Sequence, residues 1–277
     1  MIGAFIIAFR EIIEAGLIVS IVLAATRGIA GRGRWIGLGV ALGLVGAGLL
    51  VLFARRIAEA YEGSGQELLN AVVLTVAVPM LAWHGAWMAR HGREMAGEFK
   101  AAGEAVRTGQ RTAAALAVVV GAAILREGAE LVLFLYGLIA SGTTGPELLG
   151  GALLGVAAGI GLSGLSYVGL VALPVRKVFA VTSGLIVLLA AGLAAQAVQF
   201  YADAGVITVL DRPVWSTAWL VSEGSVAGKV LHALIGYTER PSGAQVLTYA
   251  LVVVLMLALM RVARPAGAPA VQGSRTA

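Results

Sequence analysis

The segments Arg10-Glu11-Ile12-Ile13-Glu14 and Arg126-Glu127-Gly128-Ala129-Glu130 each set three charged residues inside a long apolar run. The first lies within Ile2 to Ala25, the second within Ala113 to Ala140. A helix needs about 20 mostly apolar residues to cross the hydrocarbon core of a bilayer. Further stretches of that kind are Trp35 to Ala54, Leu68 to Ala89, Leu149 to Leu173, Val178 to Phe200 and Ala244 to Ala263. Long continuous runs favour helices over a barrel, whose strands are short and alternate. The expected fold is an all-α integral membrane protein with seven transmembrane helices. The first run does not read as a cleavable signal peptide, because it lacks a basic start and holds Arg10, Glu11 and Glu14 in its interior.

Composition agrees. The 277 residues are 59% hydrophobic before 38 glycines are counted, and only 13% are charged. Soluble domains carry about 25% charged residues, so a water-soluble fold is excluded, and disorder is excluded by the same apolar excess. The absence of cysteine rules out disulfides, iron–sulfur clusters and thiolate metal sites. The net charge of +5 is explained by loops rather than by nucleic acid. Thirteen basic residues fall on one side of the seven spans (Arg27, Arg32 and Arg34; Arg90 to Arg111; Arg176 and Lys177; the tail), against five on the other. The positive-inside rule then puts the N-terminus outside and the C-terminus in the cytoplasm, in a multi-pass arrangement in the cell (inner or plasma) membrane. The outer side also carries eight acids, which attract cations.

A shift of 116 residues lays the first charged motif on the second, Leu38-Gly39-Val40-Ala41-Leu42-Gly43 on Leu154-Gly155-Val156-Ala157-Ala158-Gly159, and Gly48-Leu49 on Gly164-Leu165. Spans three and six show no convincing match. Three spans per copy is an odd number, so the second copy enters the membrane the other way up, as in transporters whose sites lie between inverted repeats. The expected organisation is a permease domain over 1–264, with repeat one at about 1–89 and repeat two at about 113–200. An outer loop over 201–243, a last helix over 244–263 and a flexible cytoplasmic tail over 265–277 complete it. The glycines, as in Gly37-x-Gly39 and Gly155-x-x-x-Gly159, are read as close helix packing.

Each charge at the bilayer centre costs about 2.5–3.5 kcal/mol, so six facing lipid would cost on the order of 15–20 kcal/mol. They must point into the bundle. Glu11 and Glu14 share a helical face, as do Arg10 and Glu14, and the second copy repeats this. Each motif has net charge −1, so two opposed motifs offer −2 at one place and a site for a cation. Carboxylate oxygens suit hard or borderline ions; with no cysteine and three histidines, copper(I) fits poorly, while iron, manganese or another multivalent cation fits well. Arg10 and Arg126 would keep the glutamates ionised until an ion arrives.

Arg-Glu-x-x-Glu in the first and fourth of seven spans resembles the oxidase-dependent iron permease family, which includes fungal high-affinity iron permeases, EfeU-like bacterial iron permeases and relatives linked to lead uptake. Gly236-Tyr237-Thr238-Glu239-Arg240-Pro241-Ser242 is similar to the family's segment before the last span, and Trp219-Leu220-Val221-Ser222-Glu223-Gly224-Ser225 to the outer loop of the EfeU-like members. The family motif reads Arg-Glu-Gly-x-Glu; the second copy matches it, and the first carries Ile12 in place of the glycine. The resemblance implies iron uptake and iron binding by Glu11, Glu14, Glu127 and Glu130, accompanied by Arg10 and Arg126. It implies iron, Fe2+ or Fe3+, as transported substrate with no organic cofactor. The implied partners are membrane lipid and extracytoplasmic proteins that oxidise or deliver iron, with no nucleic acid.

Other residues are secondary. Glu59 and Glu62, with Asp203, Asp211, Glu223 and Glu239, are candidates for capture of metal on the outer side. Gln196 and Gln199 either line the path or satisfy each other or the backbone. Pro79 removes a backbone hydrogen bond in span three, and is read as shaping the packing. His84 is read as a buried, packed histidine, and Ala101 to Thr112 as a solvated helical turn. No Gly-x-x-x-x-Gly-Lys-Ser/Thr motif occurs, so the chain does not itself hydrolyse ATP. The alternatives are a transporter of manganese, lead or another multivalent cation, and an intramembrane protease, which would need a histidine set beside the glutamates. No catalytic residue is expected.

Overall fold

The computed structural model describes residues 1–60, 66–169 and 175–263. These form eight helices: α1 (Ile2–Ala25), α2 (Arg32–Ala60), α3 (Gln66–Arg107), α4 (Ala114–Ala140), α5 (Gly145–Tyr167), α6 (Val175–Asp203), α7 (Val226–Ile235) and α8 (Gly243–Ala263). Among the described residues there is no strand, only an isolated bridge between Pro213 and Ser242. Five helices (α2, α3, α5, α6 and α8) hold stretches long and apolar enough to cross a membrane. Helices α1 and α4 are of similar length, at 24 and 27 residues, and differ in holding the charged motifs.

Exposure is inverted relative to a soluble protein. Leu42, Leu44, Val45, Leu49, Leu52 and Phe53 of α2, Leu153 and Leu154 of α5, and Val254 of α8 are all exposed. An apolar surface of this extent is what lipid covers. Helix α1 packs most extensively on α5, and α4 on α2; α3 packs on α6, and α1 and α4 also meet each other. Glycine permits these contacts. A Cβ on Gly39 would lie 2.7 Å from the Ala117 carbonyl oxygen and 3.1 Å from the Gly121 nitrogen, whereas Gly37 faces open space.

The glycine missing from the first motif is explained here. Ile12 packs into the gap left by Gly159 of α5, where a Cβ would come 2.7 Å from Ile12 Cγ2. In the second copy Gly128 itself supplies the gap, opposite Ala47 of α2.

Helix α3 departs from expectation. It runs unbroken through Pro79 and on to Arg107, so Ala101 to Arg107 is the end of a 42-residue helix rather than an isolated solvated turn. Its end is held by packing: Gly103 abuts Ala25, and Val106 is buried with Val22, Ile36, Leu116, Val120 and Ile124. Helix α7 falls within the stretch expected to be an outer loop. It is capped by Ser225, whose Oγ accepts from Gly228 N at 3.0 Å, and ends on Gly236 at φ +66°, the left-handed conformation natural to glycine. The part of the fifth predicted span beyond 169 and the tail over 264–277 lie outside the described residues.

Gly39→Leu should destabilise the bundle by about 1–3 kcal/mol, because the α2–α4 contact has no room for a side chain. Gly37→Leu should leave stability unchanged. Thermal unfolding of the detergent-solubilised protein checks both.

Candidate metal site

Two apolar cores divide the bundle. One gathers Ala4, Ile7, Leu74, Leu81, Phe134 and Leu138, the other Val22, Ile36, Val106, Leu116, Val120 and Ile124. Along α1 the charged positions 10–14 fall between Ile7 and Val22; along α4 positions 126–130 fall between Ile124 and Phe134. A single charged layer is thus enclosed between apolar ones.

Within it the four glutamates of the two motifs come together. Ligand atoms of Glu11, Glu127 and Glu130 lie within 4.8 Å of one another, as do those of Glu11, Glu14 and His84. Glu11 is 1% exposed, Glu14 3% and Glu127 3%. Arg10 pairs with Glu14 at 2.9 Å and lies 3.9 Å from Glu11. Arg126 donates through Nε to Glu130 Oε1 at 3.1 Å. Neither oxygen of Glu11, nor Oε2 of Glu127, has a hydrogen-bond donor among the described residues. Buried carboxylate oxygens without donors are costly, and a cation placed among them would offset that cost.

The two motifs, alike in sequence, differ in surroundings. Arg10 is 2% exposed and enclosed by carboxylates, whereas the Arg126 side chain is 34% exposed. The Arg126 guanidinium lies 4.3 Å from the centre of the Trp87 ring and donates to the sulfurs of Met95 and Met88.

His84 is buried, as expected, and its ring meets Phe134 edge-on at 6.3 Å. Packing is only part of its environment. Its Nδ1 contacts Glu130 Oε2, and its Nε2 lies 3.8 Å from Glu14 Oε2. It therefore stands between the motifs of α1 and α4. Sequence reasoning missed this because His84 is 70 residues from Glu14 and 46 from Glu130; the available signal was a lone histidine inside an apolar span.

The outer candidates are dispersed. Glu223 and Glu239 each accept from the other's backbone nitrogen, at 2.9 and 3.2 Å, and so fasten two parts of the loop over 204–242. Asp203 accepts from Gln199 at 2.8 Å, and Asp211 is exposed near Arg212 and Pro213. Among the described residues these acids do not assemble into a ligand group. Glu59 is described only as backbone in the last turn of α2, and Glu62 lies outside the described residues. Gln196 lines a cavity of about 570 Å³ with Met1, Glu147, Leu138, Glu223 and His232. The segment resembling the family's pre-span sequence is built for anchoring: Tyr237 donates to the Val221 carbonyl at 2.7 Å, and Ser242 and Gln245 cap α8 reciprocally.

Apolar helices around a buried cluster of carboxylates, paired in part with arginine, define a multi-pass membrane protein of the ion-transporting class. Residues 1–265 match the iron permease FTR1 family, and the chain belongs to it. It is 31% identical over 271 residues to the ferrous iron permease EfeU of Shigella sonnei, a match covering 96% of this chain and 97% of the relative. To the proteins of that name from Escherichia coli O6:H1 and Yersinia pestis it is 32% identical over 272 and 252 residues, covering 96% and 88% of this chain and 97% and 88% of the relatives. No solved structure matches. The chain is a permease, a transporter rather than an enzyme, which sets aside the protease alternative although a histidine does stand beside the glutamates.

Removing one member of a buried ion pair costs about 3–5 kcal/mol. Arg10→Met should approach that range, since it strands Glu11 and Glu14 in the interior. Arg126→Met should cost clearly less, its side chain being partly exposed. Denaturation midpoints of the two purified variants check the order.

Proposed function

We propose that this chain is an iron uptake permease that binds its cation at Glu11, Glu14, Glu127 and Glu130, supported by Arg10 and Arg126. The observation carrying this reading is the convergence of four carboxylates from α1 and α4, three of them buried and several of their oxygens lacking donors among the described residues, between two apolar cores. Membership of an iron permease family, and similarity to proteins named ferrous iron permeases, support iron as the substrate.

The bundle comprises seven spans, α1 to α6 and α8, as two inverted three-helix repeats plus one helix, over 1–264; α7 lies in the outer loop. The exchange of partners supports this, since α1 packs on α5 as α4 packs on α2. Gly39 and Gly155, one repeat apart, both lie directly against a neighbouring helix's backbone. The N-terminus is outside and the C-terminus cytoplasmic, in the cell's inner or plasma membrane, as the loop charges imply. Iron enters through the cavity at the start of α1, reaches the carboxylates about 10 Å further along that helix, and passes inward as the repeats rearrange. An inward-negative potential favours entry by about 2.3 kcal/mol per charge at 100 mV. Proteins that oxidise or deliver iron act at the outer side.

Glu14→Ala and Glu130→Ala, purified and reconstituted, should lose iron uptake into liposomes while inserting normally. Uptake at the wild-type rate by either would refute the site. A reporter fused after 264 should read cytoplasmic; an external signal would overturn the orientation.

A further inference from the structure

We propose that His84 is a ligand to the transported ion through Nε2, and that this one nitrogen tunes the site to borderline divalent transition-metal ions over hard ions such as Mg2+ and Ca2+. The inference rests on the carboxylate site just proposed. Three observations carry it.

The ring is aimed and held. Nδ1 contacts Glu130 Oε2, and because a carboxylate only accepts, the neutral ring places its proton on this nitrogen. In that tautomer Nε2 holds the lone pair, and Nε2 is buried with no hydrogen-bond partner among the described residues. A histidine whose far nitrogen is anchored on a carboxylate is the usual arrangement of a metal ligand. The Phe134 ring fixes the imidazole from its other side.

The spacing suits an ion. Nε2 lies 3.8 Å from Glu14 Oε2. That is too long for a hydrogen bond. Two ligands at about 2.1 Å from one metal are about 3 Å apart when adjacent and about 4.2 Å apart when opposite, and the observed separation falls inside that span. Ligand atoms of Glu11 complete a mutually close group with Glu14 and His84.

The donor chemistry discriminates. Carboxylate oxygens alone accept Mg2+, Ca2+ and Mn2+, whereas imidazole suits iron, copper, nickel and zinc. In this arrangement Glu130 also orients His84, while Glu11 belongs both to the group with Glu14 and His84 and to the group with Glu127 and Glu130.

The test is reconstituted uptake of labelled Fe2+ under reductant, with Mg2+, Ca2+, Mn2+ or Zn2+ as competitor, for wild type, His84→Asn, His84→Gln and Glu14→Ala. Loss of an oriented ligand or its support costs about 10–100-fold in affinity. His84→Asn should bind Fe2+ at least about tenfold more weakly while Mg2+ and Ca2+ compete relatively better, so that the order of ions changes. Uniform loss for every ion, or none, in the histidine variants would overturn the role of His84; wild-type uptake by Glu14→Ala would instead overturn the carboxylate site. Should the variants misfold, Cu2+ bound to the wild-type protein should show imidazole nitrogen coupling in its electron spin-echo spectrum, and an oxygen-only spectrum would overturn the inference.

Discussion

Six ionisable groups in one layer of an otherwise apolar bundle, four of them buried, are the constraint to which the other features answer. Arginine at Arg10 and Arg126 offsets half of the carboxylate charge, and the remainder stays in a region that water reaches poorly. Such a layer is tolerable only if the helices bearing it stand close enough for opposite charges to meet. Glycine meets that demand at Gly39, Gly43, Gly155 and Gly159, each of which has a neighbouring helix where its side chain would be. The small residues therefore serve the electrostatics as much as the packing. They let α1 and α4 be flanked so tightly by α5 and α2 that their charged faces have nowhere else to turn.

Much of this was legible in the sequence, and the limits have physical causes. Charged residues in apolar runs must face inward whatever the fold, so the convergence of Glu11, Glu14, Glu127 and Glu130 follows from the residue pattern alone. The boundaries of α1 and α4 were likewise readable within a residue, because apolar runs end abruptly at Thr26 and Ser141. Hydropathy failed at α3, since it registers where a helix leaves lipid and not where its hydrogen bonding stops. The amphipathic continuation to Arg107 is fixed by Gly103 against Ala25 and by buried Val106. It also passed over α7, though Ser225 and Gly236 are ordinary start and stop signals with ten residues between them. The engagement of Glu223 and Glu239 with each other's backbone was invisible for a different reason: acids in a loop look alike until the loop is folded.

Sequence symmetry also proved an imperfect guide to the symmetry of the site. The offset of 116 residues pairs Arg10 with Arg126 and Glu14 with Glu130, yet it pairs His84 of α3 with Phe200 of α6. The imidazole therefore enters from one side only. The same asymmetry reaches the arginines: Arg126 leans on Trp87, one turn beyond His84 on α3, whereas Arg10 is paired with Glu14 and lies near Glu11. The unequal surroundings of the two motifs come from α3 and α6, whose sequences show no convincing match at this offset.

The cavity at the start of α1 stops short of the charged layer for an identifiable reason. Met1, Ala4 and Leu138 line it, while Ile7 on α1 and Phe134 on α4 lie between those residues and the glutamates, both essentially without exposure. Phe134 closes over His84 as well, so the imidazole has apolar contact on the cavity side and carboxylates beyond. An ion crossing that layer must leave its hydration shell, a large cost that only ligands waiting on the far side can offset. Glu11, whose oxygens have no donor among the described residues, and the His84 Nε2 proposed as a ligand would be groups of that kind. Those atoms have no hydrogen bond among the described residues to give up to an ion, whereas Glu14 and Glu130 keep their arginine partners. The unfavourable burial of charge in the empty protein and the capacity to strip water from a cation are thus two consequences of one arrangement.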